Sequence, residues 1–362
     1  MFYDPAKSYD ENYIDGPFGL FRKIPQDRVK TGNYSIFDIP IDIPFGIPAG
    51  PLLNSKFVEA AWHLGFSLAT YKTVRGNVYP THPFPNVIKV SSNVPDIHPG
   101  DVVVGDLNVG SIDVTRDGIT NSFGVPSKEP LIWKKDVQKT LSYMKRGNVM
   151  ILSFMGTKKD GMDRDEYIED FAKTCREARV TRAPILEVNF SCPNFGKDGL
   201  ICNDVVTSRD ILVALRNAKG NTPLLVKIGY FPPKQQESLE ALLDAIHENA
   251  DGVVAINTIQ AKVTDAQGGQ VLPGSSVRLF SGICGAKIRW AGLEMADRIV
   301  AYKKKKAWKD FVVVGVGGVV SVNDYWEFMK RGVDAVQSAT GAMWKPDLAI
   351  EIRTSMTKRQ RI

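Results

Sequence analysis

Cysteine is scarce in this chain. Among 362 residues there are four, at positions 175, 192, 202 and 284, and no two form a C-x-x-C pair. This argues against a disulfide framework and against a zinc or iron–sulfur site built from this chain alone. Histidine is equally rare. His63, His82, His98 and His247 are scattered without metal-ligand spacing, so no metal is expected. No run of eighteen apolar residues occurs, so no membrane-spanning helix is expected. The start, Met1-Phe2-Tyr3-Asp4-Pro5, has neither a basic region nor an apolar stretch of the signal-peptide kind. A reducing, cytoplasmic setting is the resulting expectation. Low-complexity tracts are also lacking, and 43% hydrophobic residues is too many for a disordered chain. The net charge of +6 is modest, and the densest basic run, Lys303 to Lys306, is not interleaved with aromatics. Nucleic acid is therefore not an expected partner, and the run reads as a solvated helix end.

What is present is an alternation. Short apolar, β-rich runs fall at 46–50, 68–73, 149–155, 185–191, 223–229, 252–258, 312–317 and 335–340. Most are apolar almost throughout, as strands buried on both faces must be. Amphipathic stretches lie between them. Residues 163–180 place Tyr167, Phe171, Ala172 and Cys175 at helical spacing, and 235–249 place Leu239, Leu242, Leu243 and Ile246 likewise. Residues 321–331 open with Ser321-x-x-Asp324, the pattern of a capping box. Eight such repeats predict an α/β fold, a (β/α)8 TIM barrel, with a doubly wound open sheet as the alternative. Two regions break the rhythm. Residues 1–42, rich in Pro, Gly and aromatics, read as an N-terminal extension on a barrel of 43–362; residues of about 78–120 read as a β-rich insertion after the second strand.

In such barrels the chemistry sits at the C-terminal strand ends. Here the second strand ends in Tyr71-Lys72-Thr73, the fourth runs into Asn189-Phe190-Ser191-Cys192-Pro193-Asn194, the fifth carries Lys227 and the sixth Asn257-Thr258. Lysine inside an apolar strand is costly unless paired or liganded. Two of them in one barrel point to an anionic cofactor; the alternative is a structural ion pair with an acid such as Glu187. Gly317-Gly318 leads into a helix near Ser321, and Ala339-Thr340 lies at the next strand end. Strands seven and eight thus carry the elements of a phosphate site. Pro193 forces a loop after Cys192, which places that thiol toward the strand-end cavity as a base or nucleophile. Asn121, Asn189, Asn194 and Asn257 supply neutral donors and acceptors for a small, planar, amide-rich ligand.

The hexapeptide N-F-S-C-P-N (189–194) resembles the signature loop of class 1 dihydroorotate dehydrogenases, which carry Cys where class 2 enzymes carry Ser. N-S-F-G-V-P (121–126) resembles that family's substrate loop. A-G-P (49–51), T-Y-K-T (70–73), L-V-K-I (225–228), I-N-T (256–258), G-V-G-G (315–318) and A-T (339–340) follow in family order. The resemblance implies FMN as cofactor, dihydroorotate as substrate and orotate as product in pyrimidine biosynthesis. It implies Cys192 as the base at C5, hydride transfer from C6 to flavin N5, and Lys72 between flavin and substrate. Lys227 would stabilise the anionic reduced ring. Asn121, Asn189, Asn194, Asn257 and Thr258 would hold the orotate ring and carboxylate, aided by backbone groups of Phe123, Gly124 and Val125. Ala49, Gly50, Thr73 and Asn189 would touch the flavin; Gly285, Gly317, Gly318, Ala339 and Thr340 would grip its phosphate. A homodimer is implied by the resemblance, and so is an electron-transfer subunit if the oxidant is NAD; fumarate and a quinone are the other acceptors.

The chain also departs from the family pattern. The family's G-N-P-x-P-R appears as H-P-F-P-N (82–86), without the arginine, and the stretch from there to Asn121 is longer. Ser127 replaces an Asn found in some members, and Ala339 a glycine. The lid 195–204 leans toward the subclass with an electron-transfer subunit and is also similar to dihydropyrimidine dehydrogenases. A dihydropyrimidine dehydrogenase-like enzyme acting on dihydrouracil or dihydrothymine is therefore the first alternative. That family has His where this chain has Asn194. A non-redox phosphate-binding barrel is the second.

Overall fold

A computed structural model describes residues 2–22, 34–91, 94–191 and 199–359. Eight parallel strands close into a barrel: Phe45–Ile47, Leu68–Val74, Val149–Phe154, Ile185–Asn189, Leu224–Ile228, Gly252–Ala255, Val312–Val316 and Ala335–Gln337. They are called here the first to the eighth barrel strand. Each expected run holds one strand. The eighth strand pairs back to the first through Val336↔Phe45 and Gln337↔Gly46, so the sheet has no open edge and the doubly wound alternative is excluded. The sixth strand ends at Ala255 rather than at 258, and Asn257-Thr258 belong to the loop beyond it.

Local signals set the helices between the strands. Arg164–Arg179 starts from Asp163, whose side chain accepts from the Glu166 amide while Glu166 reaches back. Val322–Arg331 starts from Ser321, which accepts from the Asp324 amide, and stops at Gly332 with φ +91°. Its box is displaced by one residue, because Asp324 takes the amide of Val320 rather than that of Ser321. Arg289–Lys305 ends in the lysine run, and Lys303, Lys305 and Lys306 pair with Asp334, Glu240 and Asp244.

The bore of the barrel changes character along its length. At its N-terminal end Leu68, Val149, Ile185, Leu225, Val254, Val314 and Ala335 form a dry cluster. A short hairpin, Tyr34–Ile36 paired with Ile39–Ile41, adds Ile36 and Ile41 to that cluster. Its turn residues, Phe37 and Asp38, both have positive φ, as a two-residue hairpin turn of type I′ requires. Further along, the inward positions turn polar: Thr70, Ser153, Glu187, Asn189, Lys227 and Gln337. The polar positions of the bore thereby lie toward its C-terminal mouth.

A second, five-stranded barrel stands beside that mouth. Three of its strands, Lys89–Ser91, Val102–Asp106 and Gly118–Asn121, come from the region after the second barrel strand. The other two, Ile259–Thr264 and Phe280–Gly285, come from an excursion after the sixth barrel strand. The sequence pattern did not indicate that second excursion. It pairs over long range, with Lys262 beside Val102 and Cys284 beside Ile119.

Candidate active site

One cleft of about 1030 Å³, open to solvent, lies at the C-terminal mouth. Its floor comes from the barrel strands. Between the second and third strands the register slips by one residue, from Tyr71↔Leu152 to Val74↔Phe154. A regular pleat would turn Lys72 and Thr73 to opposite faces; the bulge lets both reach the cleft. Thr73 shares a hydrogen bond of 3.0 Å with Ser153, and the Lys72 ammonium lies 3.5 Å from the Thr73 carbonyl.

Lys227 is 4% exposed and lines the same floor. It has no hydrogen-bond or ion-pair partner among the described residues, so the structural ion pair with Glu187 is not formed. Burial pushes its pKa down, and the field of Glu187 pushes it part of the way back. Glu187 is fully buried, and burial drives its pKa up against the pull of Lys227 and of the Ser153 hydroxyl.

Asn189 and Asn257 line the cleft, and each spends one arm on Ser191. The Asn189 carbonyl oxygen accepts from the Ser191 amide at 3.0 Å and hydroxyl at 3.2 Å, while the Asn257 amide donates to the Ser191 carbonyl at 2.8 Å. The residue before Cys192 is thus fixed from two sides. Cys192 and Asn194 themselves lie outside the described residues. Thr258 lines the cleft, its buried hydroxyl without a partner among the described residues.

The wall opposite is the loop after Asn121, where Phe123, Gly124 and Val125 line the cleft. Gly124 and Val125 both have positive φ, +76° and +54°. Each carbonyl of the preceding peptide units is held from behind. Ser122 O accepts from Asn86 at 3.0 Å and Arg278 at 3.3 Å, Phe123 O from the His82 amide at 3.1 Å, and Gly124 O from Arg75 at 3.4 Å. In a trans peptide the N–H points opposite to the C=O. The amides of Phe123, Gly124 and Val125 have no acceptor among the described residues. Successive free N–H groups of this kind form an anion-binding nest.

Ala49 and Gly50 line the cleft from the loop after the first strand, and Ala339 and Thr340 from the end of the eighth. The cleft continues into a recess lined by Gly285, Gly317, Gly318 and the same Ala339 and Thr340. Gly318 has φ +70°, and a Cβ there would meet the Arg289 backbone at 2.7 Å. The amides of Gly318 and Val319 are without acceptors among the described residues. A small, backbone-lined recess with free amides suits a phosphate.

Several residues at the site were not picked out from the sequence. Tyr3 and Tyr9 of the N-terminal segment line the cleft and pack edge-on against Phe123, with ring centroids at 5.7 and 6.2 Å. Arg75 and Arg278 are buried behind the substrate-side loop. Arg75 follows Lys72 by three residues, and a charged residue at the end of an apolar run was a signal available for it. Nothing local marks the other three.

Fold and site together define an enzyme of the (β/α)8 class, with a cation-floored cleft joined to a phosphate-type recess. The family model for dihydroorotate dehydrogenase matches residues 109–359. A Dictyostelium discoideum protein described as dihydroorotate dehydrogenase is 35% identical, over 96% of this chain and 95% of its own length. The chain belongs to the dihydroorotate dehydrogenase family and is an oxidoreductase. It is also similar to a quinone-type enzyme of Streptomyces avermitilis, at 26% identity over 91% of this chain and 83% of the relative. The catalytic subunit of an NAD(+)-type enzyme from Brachyspira hyodysenteriae is 28% identical over 68% and 75%. A crystal structure from Eimeria tenella, of DHODH in complex with ferulenol, shares the fold with a TM-score of 0.68 at 17% identity, covering 94% of this chain and 88% of that one.

Proposed function

We propose that the protein oxidises dihydroorotate to orotate, with FMN as the resident cofactor and Cys192 as the base. The observation that carries this reading is the convergence in one cleft of Lys72 and Lys227, the amide nest at 123–125 and the glycine-lined recess. Gly285, Gly317, Gly318, Ala339 and Thr340 hold the cofactor phosphate. Ala49, Gly50, Thr73 and Asn189 border its ring, and the buried Lys227 ammonium, without a hydrogen-bond or ion-pair partner among the described residues, takes the negative charge of the reduced ring. FMN, when bound, supplies the hydride acceptor. The nest of Phe123, Gly124 and Val125 takes the substrate carboxylate. Asn121, Asn189, Asn194, Asn257 and Thr258 hold the ring edges. Cys192 removes the C5 proton as the C5–C6 double bond forms. Cysteine rather than serine at 192 supports the cysteine-base class.

The test is anaerobic. Purified protein carrying FMN should bleach with dihydroorotate far faster than with dihydrouracil. Preference for dihydrouracil would replace this reading with the dihydropyrimidine one. A colourless, folded protein that takes up no FMN would leave the non-redox barrel.

A further inference from the structure

Arg278 is 2% exposed and lies in the second excursion, far in sequence from the loop it touches. Its guanidinium donates five hydrogen bonds. They go to the Ser122 hydroxyl (3.2 Å) and carbonyl (3.3 Å), the Pro85 carbonyl (2.9 Å), the Pro83 carbonyl (2.8 Å) and the Pro273 carbonyl. All acceptors are neutral, and no carboxylate lies within ion-pair distance among the described residues. Burying an arginine without an acid is expensive, and here only hydrogen bonds to neutral oxygens offset the cost. The segment it grips is H-P-F-P-N (82–86), where the sequence lacks the family's arginine.

Arg75 works on the same loop, further along it. It is 4% exposed, donates to Val125 O at 2.9 Å, Gly156 O at 3.0 Å and Gly124 O at 3.4 Å, and stacks on Tyr79 with its guanidinium carbon 4.0 Å from the ring centroid. The two guanidinium groups therefore hold the loop at its two ends, Arg278 at Ser122 and Arg75 at Gly124 and Val125. Each pulls on a carbonyl whose peptide presents its N–H toward the cleft: Ser122 O for the Phe123 amide, Gly124 O for the Val125 amide.

We infer that Arg278 and Arg75 are positioning residues for the carboxylate of the substrate. They fix the peptide planes of 122–125 with the amides turned inward and add two positive charges behind them, so the nest is set before the anion arrives. This rests on the reading that the nest takes a carboxylate. The residues touch no reacting atom; they set affinity for the anionic group and leave the chemical step to others.

The experiment uses FMN-loaded protein and two ring ligands, orotate and uracil, which lacks the carboxylate. Dissociation constants come from perturbation of the flavin spectrum, for wild type, Arg278→Lys and Arg75→Lys. Wild type should bind orotate at least 100-fold more tightly than uracil. Each variant should lose 10-fold or more toward orotate, with uracil within 2-fold of wild type. The limiting rate of flavin reduction at saturating dihydroorotate should stay within 3-fold. Unchanged orotate affinity in both variants overturns the inference. So does an equal loss toward both ligands, or loss of FMN by both variants, since either outcome assigns the arginines a purely structural task. Wild type that fails to prefer orotate overturns the carboxylate reading instead.

Discussion

Lys227 and Glu187 sit on neighbouring barrel strands, coupled through the low-dielectric bore yet joined by no hydrogen bond or ion pair. Burial opposes the charged form of both. Lys72 shares the floor and adds a second positive charge. A hydrogen-bond acceptor edge of the flavin ring over Lys227 reverses the balance, because it favours the ammonium. The unliganded site, with its lowered lysine pKa, begins to lose the proton below the ordinary range near 10.4, while the liganded site holds it.

FMN binding should then take up a proton over that interval, and FMN affinity should fall as pH rises through the lowered Lys227 pKa. The range above pH 7 is the one to measure, since the second ionisation of a phosphate ester near 6 is complete there. Quenching of flavin fluorescence gives the dissociation constant at each pH. Glu187→Gln removes the charge that supports the ammonium, so the fall should begin at lower pH. Lys227→Met should flatten the profile and weaken binding throughout. A wild-type profile without slope up to pH 10 would show that the ammonium is not linked to the cofactor.

Cys192 lies outside the described residues, but its neighbour Ser191 is fixed by Asn189 and Asn257. A thiol acting as general base contributes about 10²- to 10⁴-fold to rate. Cys192→Ala should keep FMN and slow anaerobic flavin bleaching by dihydroorotate about 100-fold or more. With an unperturbed thiol pKa of about 8.5, wild-type flavin reduction should climb between pH 7 and 9. Bleaching of Cys192→Ala at wild-type speed would remove the thiol from the mechanism.

The barrel was legible because strands buried on both faces must be apolar, and eight such runs stand out against amphipathic helices. Their ends were less so. Asn257 and Thr258 extend an apolar run in sequence but belong to the loop, where their polar groups face the cleft. The cleft residues on strand ends announced themselves as polar breaks in apolar runs, Lys72 and Lys227 above all. The bulge that turns Lys72 and Thr73 to one face was invisible, since it is a relation between two strands. The same holds for the excursion at 259–285, whose pairing partners lie more than a hundred residues away. Tyr3, Tyr9 and Arg278 reach the site through tertiary packing, which no local spacing encodes.

Asp136 ties that bulged strand to its surroundings. It lies in the helix Pro130–Tyr143 and accepts from the Tyr71 hydroxyl at 2.8 Å, the Ser55 amide at 2.7 Å and the Ser55 hydroxyl at 2.6 Å. Tyr71 is 2% exposed, and burial together with the Asp136 charge holds its phenol protonated well above the usual range. Asp136→Ala strands two buried hydroxyls, those of Tyr71 and Ser55, and the first amide of the helix Ser55–His63, and each orphaned group costs about 1–3 kcal/mol. Tyr71→Phe removes donor and hydroxyl together and leaves Asp136 with Ser55, so about 1 kcal/mol is expected. Chemical denaturation should therefore show Asp136→Ala several-fold more damaging than Tyr71→Phe. Because Tyr71 adjoins Lys72, the Asp136 variant should also lose flavin reduction rate at full FMN occupancy. Equal stabilities for the two variants would mean that the Ser55 contacts carry no weight and that the helix start is held by its Asn54 cap alone.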